Sequence, residues 1–369
     1  MRRYLYAASL EKKMRINKIA LENFRNYEIQ EIKLDQNINV FYGNNAQGKT
    51  NILEALYFCA FGRSFRTHKD AELIKFEESN AKIKVDFEKN NREQNIEIIL
   101  DKKEKKKIKL NEIRVNKNSE LLGNLNLVLF SPDDTVVLKE SPASRRKFLD
   151  ILISQLRPKY AHQLGIYNKI LENRNTVIKS QKTETIDIWD EQLAESAEKI
   201  YEYRVEYINK LQKFVDKIAP SLTNEKEKLT IKYKSNFKTK EDYLKLLKQN
   251  LRNDLYRGYT TSGIQRDDFE LLVNGKELNL YGSQGQHRTA ILALKFAELE
   301  IIKEEINENP ILLLDDITSE LDLERIGQIF KKISDFQVLI TCTDANILRN
   351  IESLTKEIKL YKINSGRVD

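Results

Sequence analysis

Cysteine is almost missing from this chain: Cys59 and Cys342 are the two in 369 residues. A single pair cannot build a disulfide framework, and the scarcity suits a reducing cytosol. Long apolar runs are also missing. None approaches the roughly 20 residues that a membrane-crossing helix needs, so no membrane attachment is expected. Histidine is scarce, and His68, His162 and His287 lie scattered without ligand spacing, so no zinc site is expected. Large charge excess is lacking as well: 63 Lys+Arg stand against 56 Asp+Glu, a net charge of +7. That balance admits nucleic acid as a partner, and it equally describes a solvated Lys/Glu-rich surface. There is no internal repeat and no low-complexity linker.

What is present reads as α/β at both ends and helical between. The opening MRRYLYAASLEKK is basic, but its apolar centre is too short for a secretory signal. Met14 then begins a clean strand pattern, so residues 1–13 are expected to be an extension outside the fold. Residues 14–42 read as three strands and 81–115 as a strand meander, and LNLVLF at 125–130 as a buried strand. From about 142 to 255 the pattern is helical. Leu193, Ala197, Ile200, Tyr207, Leu211, Val215 and Ile218 form one stripe, and Pro220 is expected to stop that helix. After 269 the α/β rhythm returns, with a helix from Gly285 to Ile306, strands ILLL and QVLIT, a helix LERIGQIFKKI between them, and a last strand IKLYKI. The expected division is residues 14–130 as the first part of a nucleotide-binding lobe, 131–255 as a helical lobe, and 256–369 as the second part.

The chemistry concentrates in GNNAQGKTNILEAL, residues 43–56, between an apolar strand and an amphipathic helix. Gly43, Gly48, Lys49 and Thr50 satisfy G-x-x-x-x-G-K-[ST]. At average residue usage about one chain in a hundred of this length would match by chance, and a plain turn is the alternative. Glycines let successive N–H groups close around an anion, and the helix adds its positive end. In such a loop the lysine reaches the β/γ-phosphates and the hydroxyl serves Mg²⁺. Gly43, Asn44, Asn45, Ala46, Gln47, Gly48, Lys49, Thr50 and Asn51 are therefore the expected ATP site. The metal needs a distant acid. ILLLDD at 311–316 puts Asp315 and Asp316 at the end of a buried strand, where ligands gather in open parallel sheets. Asp315 is expected to hold Mg²⁺ with Thr50, and Asp316 to orient or deprotonate the attacking water, with Lys49 as its catalytic partner. An acidic cap for a helix near Leu323 is the alternative. YGSQGQHRT places Ser283, Gly285 and Gln286 at another anion-binding helix start, far along the chain and better aimed at the nucleotide of a second copy.

P-loop, S-x-G-Q, apolar-DD and SELD, in that order, resemble ABC-type ATPases of the SMC branch. LENFRNY, FSPDDTVVLKESPASRRKFLD, SGIQRDDFEL and LLLDDITSELD make the resemblance one to the RecF family, from Met14 to near the end. The resemblance implies a P-loop ABC/SMC-type ATPase head with a helical second lobe inserted. It implies an ATP-dependent homodimer that binds double-stranded DNA and single-/double-strand junctions near gaps. RecR and RecO are the implied partners in loading RecA, and the implied activity is a weak, DNA-stimulated ATPase acting as a switch. It also places Arg25 near the nucleotide, Ser283 and Gly285 on the other subunit's ATP, and Asp322 in the D-loop. The chain departs from the wider ABC pattern in three places. Ser131-Pro132-Asp133-Asp134 stands where a glutamine loop is usual, Thr343 stands at the switch-histidine position, and Asp316 replaces a glutamate. These departures imply slow hydrolysis. Arg63, Arg66 and Lys69 are expected to meet DNA phosphates, and Arg145-Arg146-Lys147 either meets a partner or is a solvated helix start.

A transporter subunit would have the missing glutamine loop and histidine. A chromosome-structuring SMC protein would have a far longer insertion. An OLD-like nuclease would need a further acidic domain. A nucleotide-binding scaffold that never hydrolyses ATP, or an ABC-type ATPase outside recombination, remains the alternative reading.

Overall fold

The computed structural model describes residues 14–132, 134, 141–181, 183–223, 226–316, 333, 335–343 and 358–368. The chain opens with β1 (Arg15–Phe24), β2 (Tyr27–Lys33), β3 (Ile38–Tyr42) and α1 (Lys49–Phe61). β4 (Asn80–Lys89), β5 (Arg92–Asp101), β6 (Lys107–Leu110), β7 (Ile113–Val115), a short α2 (Asn118–Leu121) and β8 (Leu127–Phe130) follow. The middle holds α3 (Pro142–Leu156), α4 (Pro158–Ser180), α5 (Ile186–Thr223), β9 (Leu229–Lys234) and α6 (Lys240–Arg257). Next come β10 (Asp268–Val273), β11 (Lys276–Glu277), α7 (Leu278–Tyr281) and α8 (Gln284–Ile306). β12 (Ile311–Leu314), β13 (Val338–Cys342), β14 (Ile358–Asn364) and β15 (Arg367–Val368) close it. The expected helix LERIGQIFKKI up to residue 332, the SELD segment with Asp322, and Asp133 lie outside the described residues.

Two compact units result: Met1–Ser131 with Ile302–Asp369, and Pro132–Ile301. The first unit carries two six-stranded sheets. One is ordered β2-β1-β4-β5-β6-β7 and is antiparallel. The other is ordered β15-β14-β3-β13-β12-β8 and is parallel except at β15. α1 packs on β4 and β5 of the first sheet and on β8 and β13 of the second. This explains a departure from the single apolar stripe expected of α1. Every residue from Ile52 to Phe61 is buried, because a helix covered on two sides must be apolar nearly all round. Both cysteines are buried and neither is in a disulfide.

In the antiparallel sheet, Glu97 on β5 lies between Lys82 on β4 (2.8 Å) and Lys109 on β6 (3.0 Å). Donation by Lys82, opposed by burial and aided by Lys109, holds its carboxyl below the ordinary 4.5. A carboxyl depressed by folding stabilises above its unfolded pKa and loses that contribution as pH falls through the folded one. Glu97→Gln is therefore expected to lower stability by no more than about 1 kcal/mol at pH 7, since both lysines are solvated. Urea unfolding at pH 7 and pH 3 checks this: the two proteins should converge at the acid value.

The second unit packs α4 along α5, lays α5 against β9, and pairs β9 and β11 with β10 in an antiparallel sheet. All seven residues of the expected α5 stripe are buried. The helix nevertheless runs through Pro220 to Thr223. A proline so near the end forfeits one hydrogen bond of the last turns and can keep a helical φ. β9 breaks the helical run expected between 142 and 255. Its partner β10 lies some 35 residues on in the sequence, joined at Ile231–Leu271. The same pairing moves the boundary expected at 255/256: residues 256–301 group with the helical unit. Among the described residues no helix is long and apolar enough to cross a membrane.

Candidate functional site: a phosphate loop and its acid

β3 ends at Tyr42 and α1 begins at Lys49, and the backbone between them turns at two glycines. Gly43 has φ 151°, and a Cβ there would lie 2.5 Å from the carbonyl oxygen of Ile363. Gly48 has φ 111°, and a Cβ there would strike the Asn26 amide at 2.6 Å. Both positions exclude a side chain by conformation and by space. Lys49 Nζ donates to the carbonyls of Gly43 and Asn44, each at 2.7 Å, folding the ammonium back inside the loop. Burial lowers its pKa, opposed by Asp316, Cys342 and Asp315. Asn44, Asn45 and Ala46 are exposed at the tip, Ala46 with φ 63°.

Thr50 Oγ1 donates to Asp315 Oδ1 at 2.8 Å. β13 lies between β3 and β12, and Thr341 near its end donates to the same Asp315 oxygen at 2.7 Å. Thr341 Oγ1 in turn accepts the backbone N–H of Asp316 at 2.9 Å. Burial raises the Asp315 carboxyl pKa, and the Thr341 and Thr50 hydroxyls pull it back toward the ionised form. Thr341 was not singled out in the sequence. The expected switch position, Thr343, is exposed beyond β13. Nothing local distinguishes the two threonines; the strand order does.

Three more supports were not legible. Asn26 Nδ2 donates to Gln47 O, and Asn26 Oδ1 accepts from Asn51 Nδ2, both at 2.8 Å. Tyr27 O–H donates to Gly48 O at 3.1 Å. The C-terminal hairpin clasps the loop from another side: Ser365 N–H donates to Gln47 Oε1 (2.7 Å) and Gly366 N–H to Gln47 O (3.0 Å). Gln47 and Asn51 thus serve as framework of the loop.

Arg25, in the turn between β1 and β2, makes a two-pronged contact with Glu54 (2.7 and 2.9 Å) and donates to Glu72 O. Glu54 is fully buried on α1, and a buried carboxylate demands such pairing. Arg66 completes the cluster, 3.5 Å from Glu54 and 2.9 Å from Asn51 Oδ1. An open groove of about 490 Å³ beside these residues is lined by Arg25, Asn26, Asn51, Arg66 and Phe76. Arg66 thus has partners within the chain yet stays exposed, its side chain at 44%; Arg63 is exposed too, and Lys69 faces Glu72. In the second unit Arg145 is buried against Asp268, and the half-buried Arg146 donates to the carbonyl of Asp267.

Ser283, Gly285 and Gln286 open α8 in the second unit. Ser283 N–H donates to Gln286 Oε1 (2.9 Å) and Gln286 N–H to Ser283 Oγ (3.2 Å), so S-x-x-Q is a capping box. Gln286 Nε2 also donates to Glu227 (2.8 Å).

A glycine loop after a parallel strand, its threonine on an acid two strands away, and a helical unit interrupting the chain define a P-loop ATPase head of the ABC/SMC type. The RecF/RecN/SMC N terminal domain family matches residues 15–366. The DNA replication and repair protein RecF of Clostridium beijerinckii is 44% identical over 362 residues, covering 96% of this chain and 98% of that one. Solved structures of the recombination mediator protein RecF in the RecFOR pathway, with ATPrS and with ATP, superpose with a TM-score of 0.90 at 38% and 37% identity. They cover 97% and 98% of this chain and 98% and 99% of theirs. The chain belongs to the RecF family.

Proposed function

We propose that this protein is an ATP-gated DNA-binding switch of cytoplasmic recombinational repair. The carrying observation is the 2.8 Å contact of Thr50 with Asp315, 265 residues apart in sequence. It puts a hydroxyl and a carboxylate together at the mouth of the loop, the donor set that suits Mg²⁺. Thr50 and Asp315 would hold that ion, which would supply charge neutralisation at the phosphates. The loop N–H groups from Asn44 to Thr50 cradle the phosphates, Lys49 leaves its two carbonyls for the β/γ-phosphates, and the groove beside Arg25 takes the nucleoside. Asp316 orients the attacking water. Its short side chain, and Thr343 where relatives of the wider class place histidine, keep hydrolysis slow.

Ser283, Gly285, Gln286 and Asp322 of a second copy complete each nucleotide site, so ATP joins two chains and hydrolysis parts them. The closed homodimer holds duplex DNA at junctions with single strands, where RecR and RecO use it to load RecA. The division of the chain into an ATPase lobe and a helical lobe serves this, the first sealing ATP and the second bringing Ser283 across. Light scattering tests it. Wild type should double its molar mass with a non-hydrolysable ATP analogue and stay monomeric with ADP. Ser283→Arg should bind the analogue and remain monomeric. A wild-type monomer under every condition would overturn the clamp.

A further inference from the structure

The face of α6 carries a row of unpaired cations that ends in an exposed ring. Lys245, Lys248, Arg252 and Tyr256 follow at steps of three, four and four, which places them on one side of a helix. All four are exposed, Tyr256 to 90%. From Lys245 to Tyr256 the row is about 16 Å long. At the end of α6 and beyond it the positive charge continues: Arg257 and Arg266 are exposed, and the Arg266 guanidinium stacks on the Tyr259 ring at 5.3 Å. The two arginines, with Arg257's hydrogen bond first, lower the pKa of the Tyr259 hydroxyl.

In sequence this region looks neutral. Between 252 and 268 three arginines alternate with Asp254, Asp267 and Asp268. The fold removes every one of those acids. Asp254 is fully buried against Arg174 at 2.8 Å and accepts from Thr261. Asp267 is buried against Arg204 (3.1 Å) and Tyr233 (2.6 Å). Asp268 receives both prongs of Arg145. Among the described residues, none of Lys245, Lys248, Arg252, Arg257 or Arg266 has a carboxylate partner.

We propose that this face binds single-stranded DNA, its phosphates along the lysine–arginine row and a base on the Tyr256 ring. The chemistry selects that occupant. Cations in a row track a phosphodiester backbone without reading sequence, and a ring left bare beside them suits an unpaired base. A duplex hides its base faces, and an acidic peptide has no use for the ring. The inference rests on the DNA-binding reading above and adds where, and in which form, a strand is held.

The test is fluorescence anisotropy with a labelled 20-mer of thymidylate and a matching duplex, with and without ATP analogue, across a salt series. Tyr256→Ala should weaken oligothymidylate binding roughly 5- to 100-fold, and Tyr256→Phe should restore it. Lys245→Ser with Lys248→Ser and Arg252→Ser should flatten the salt dependence by about 2 in slope, near 0.7 for each lost phosphate contact. All these side chains are exposed, so thermal melting and ATP binding should match wild type. Wild-type oligothymidylate binding by the variants, with the ATP-dependent dimer intact, would overturn this site and leave the clamp standing. Equal losses on duplex and single strand would overturn the assignment to single strands. Failure of wild type to bind either DNA would overturn both readings.

Discussion

Replacing Lys49 by alanine is expected to cut ATP turnover about 100-fold or more, the scale on which loss of one transition-state donor is felt. Lys49 is the cation seated within the loop, 2.7 Å from the carbonyls of Gly43 and Asn44. Burial already destabilises its charge, so an anion arriving in the loop gains a poorly solvated and therefore strong partner. Lys49→Arg separates binding from chemistry. The charge is kept, but a planar fork does not fit a seat shaped by two carbonyls around an ammonium. ATP affinity is expected to stay within a few-fold of wild type while turnover falls with the alanine variant. Phosphate release and equilibrium binding of a fluorescent analogue measure the two separately. Wild-type turnover in either variant would remove the site from this loop.

Arg204→Ala is expected to destabilise the protein by roughly 3–5 kcal/mol, the usual result of removing one partner of a buried ion pair. Arg204 is 2% exposed and meets Asp267, Asp150, Tyr160 and the carbonyl of Ile264, at 2.8 to 3.1 Å. Burial alone would lower its pKa, but Asp150, Tyr160, Tyr233 and Asp267 raise it well above the ordinary value. Facing it, burial pushes the Asp267 carboxyl up, and Arg204 and Tyr233 draw it back. The geometry holds Asp267 as the carboxylate, since the Tyr233 O–H donates to it. Without Arg204 that carboxyl is raised further above its unfolded value. A raised acid favours the folded state at low pH and penalises it as pH rises through the folded pKa. The deficit of Arg204→Ala should therefore be largest near neutrality and shrink toward pH 4. Arg266→Ala, on the exposed side of the same segment, should change stability by less than 1 kcal/mol. Urea unfolding of both variants at the two pH values checks the contrast, and equal costs would mean that the buried network contributes little.

The legible parts of the fold were those with short-range rules. Alternation marked β4 and β5, and a seven-residue stripe marked α5. β9 escaped because LTIKYK sits between helices and earns its place through β10. The domain boundary escaped for the same reason: Asp267 and Asp268 are bound by Arg204 and Arg145, which are remote in the sequence.

The phosphate loop was legible because its chemistry is local. A glycine that must hold φ 151° or 111°, a lysine and a hydroxyl next to it are all consecutive in one stretch. The acids at 315 and 316 were legible because an apolar strand ending in two carboxylates is itself a local signal. The choice of Thr341, the support from Asn26 and the clasp by Ser365 and Gly366 were hidden. They depend on β13 and β14 flanking β3, a long-range pairing that no window of sequence contains. Surface charge divides the same way. Composition counts Asp254, Asp267 and Asp268 against the arginines beside them, while burial cancels those acids internally and leaves the arginines facing water. Types of residue and their spacing thus sufficed for the loop and its family. Which charges remain outside, and which threonine meets Asp315, followed from packing, because desolvation and strand order act on residues that meet only once the chain has folded.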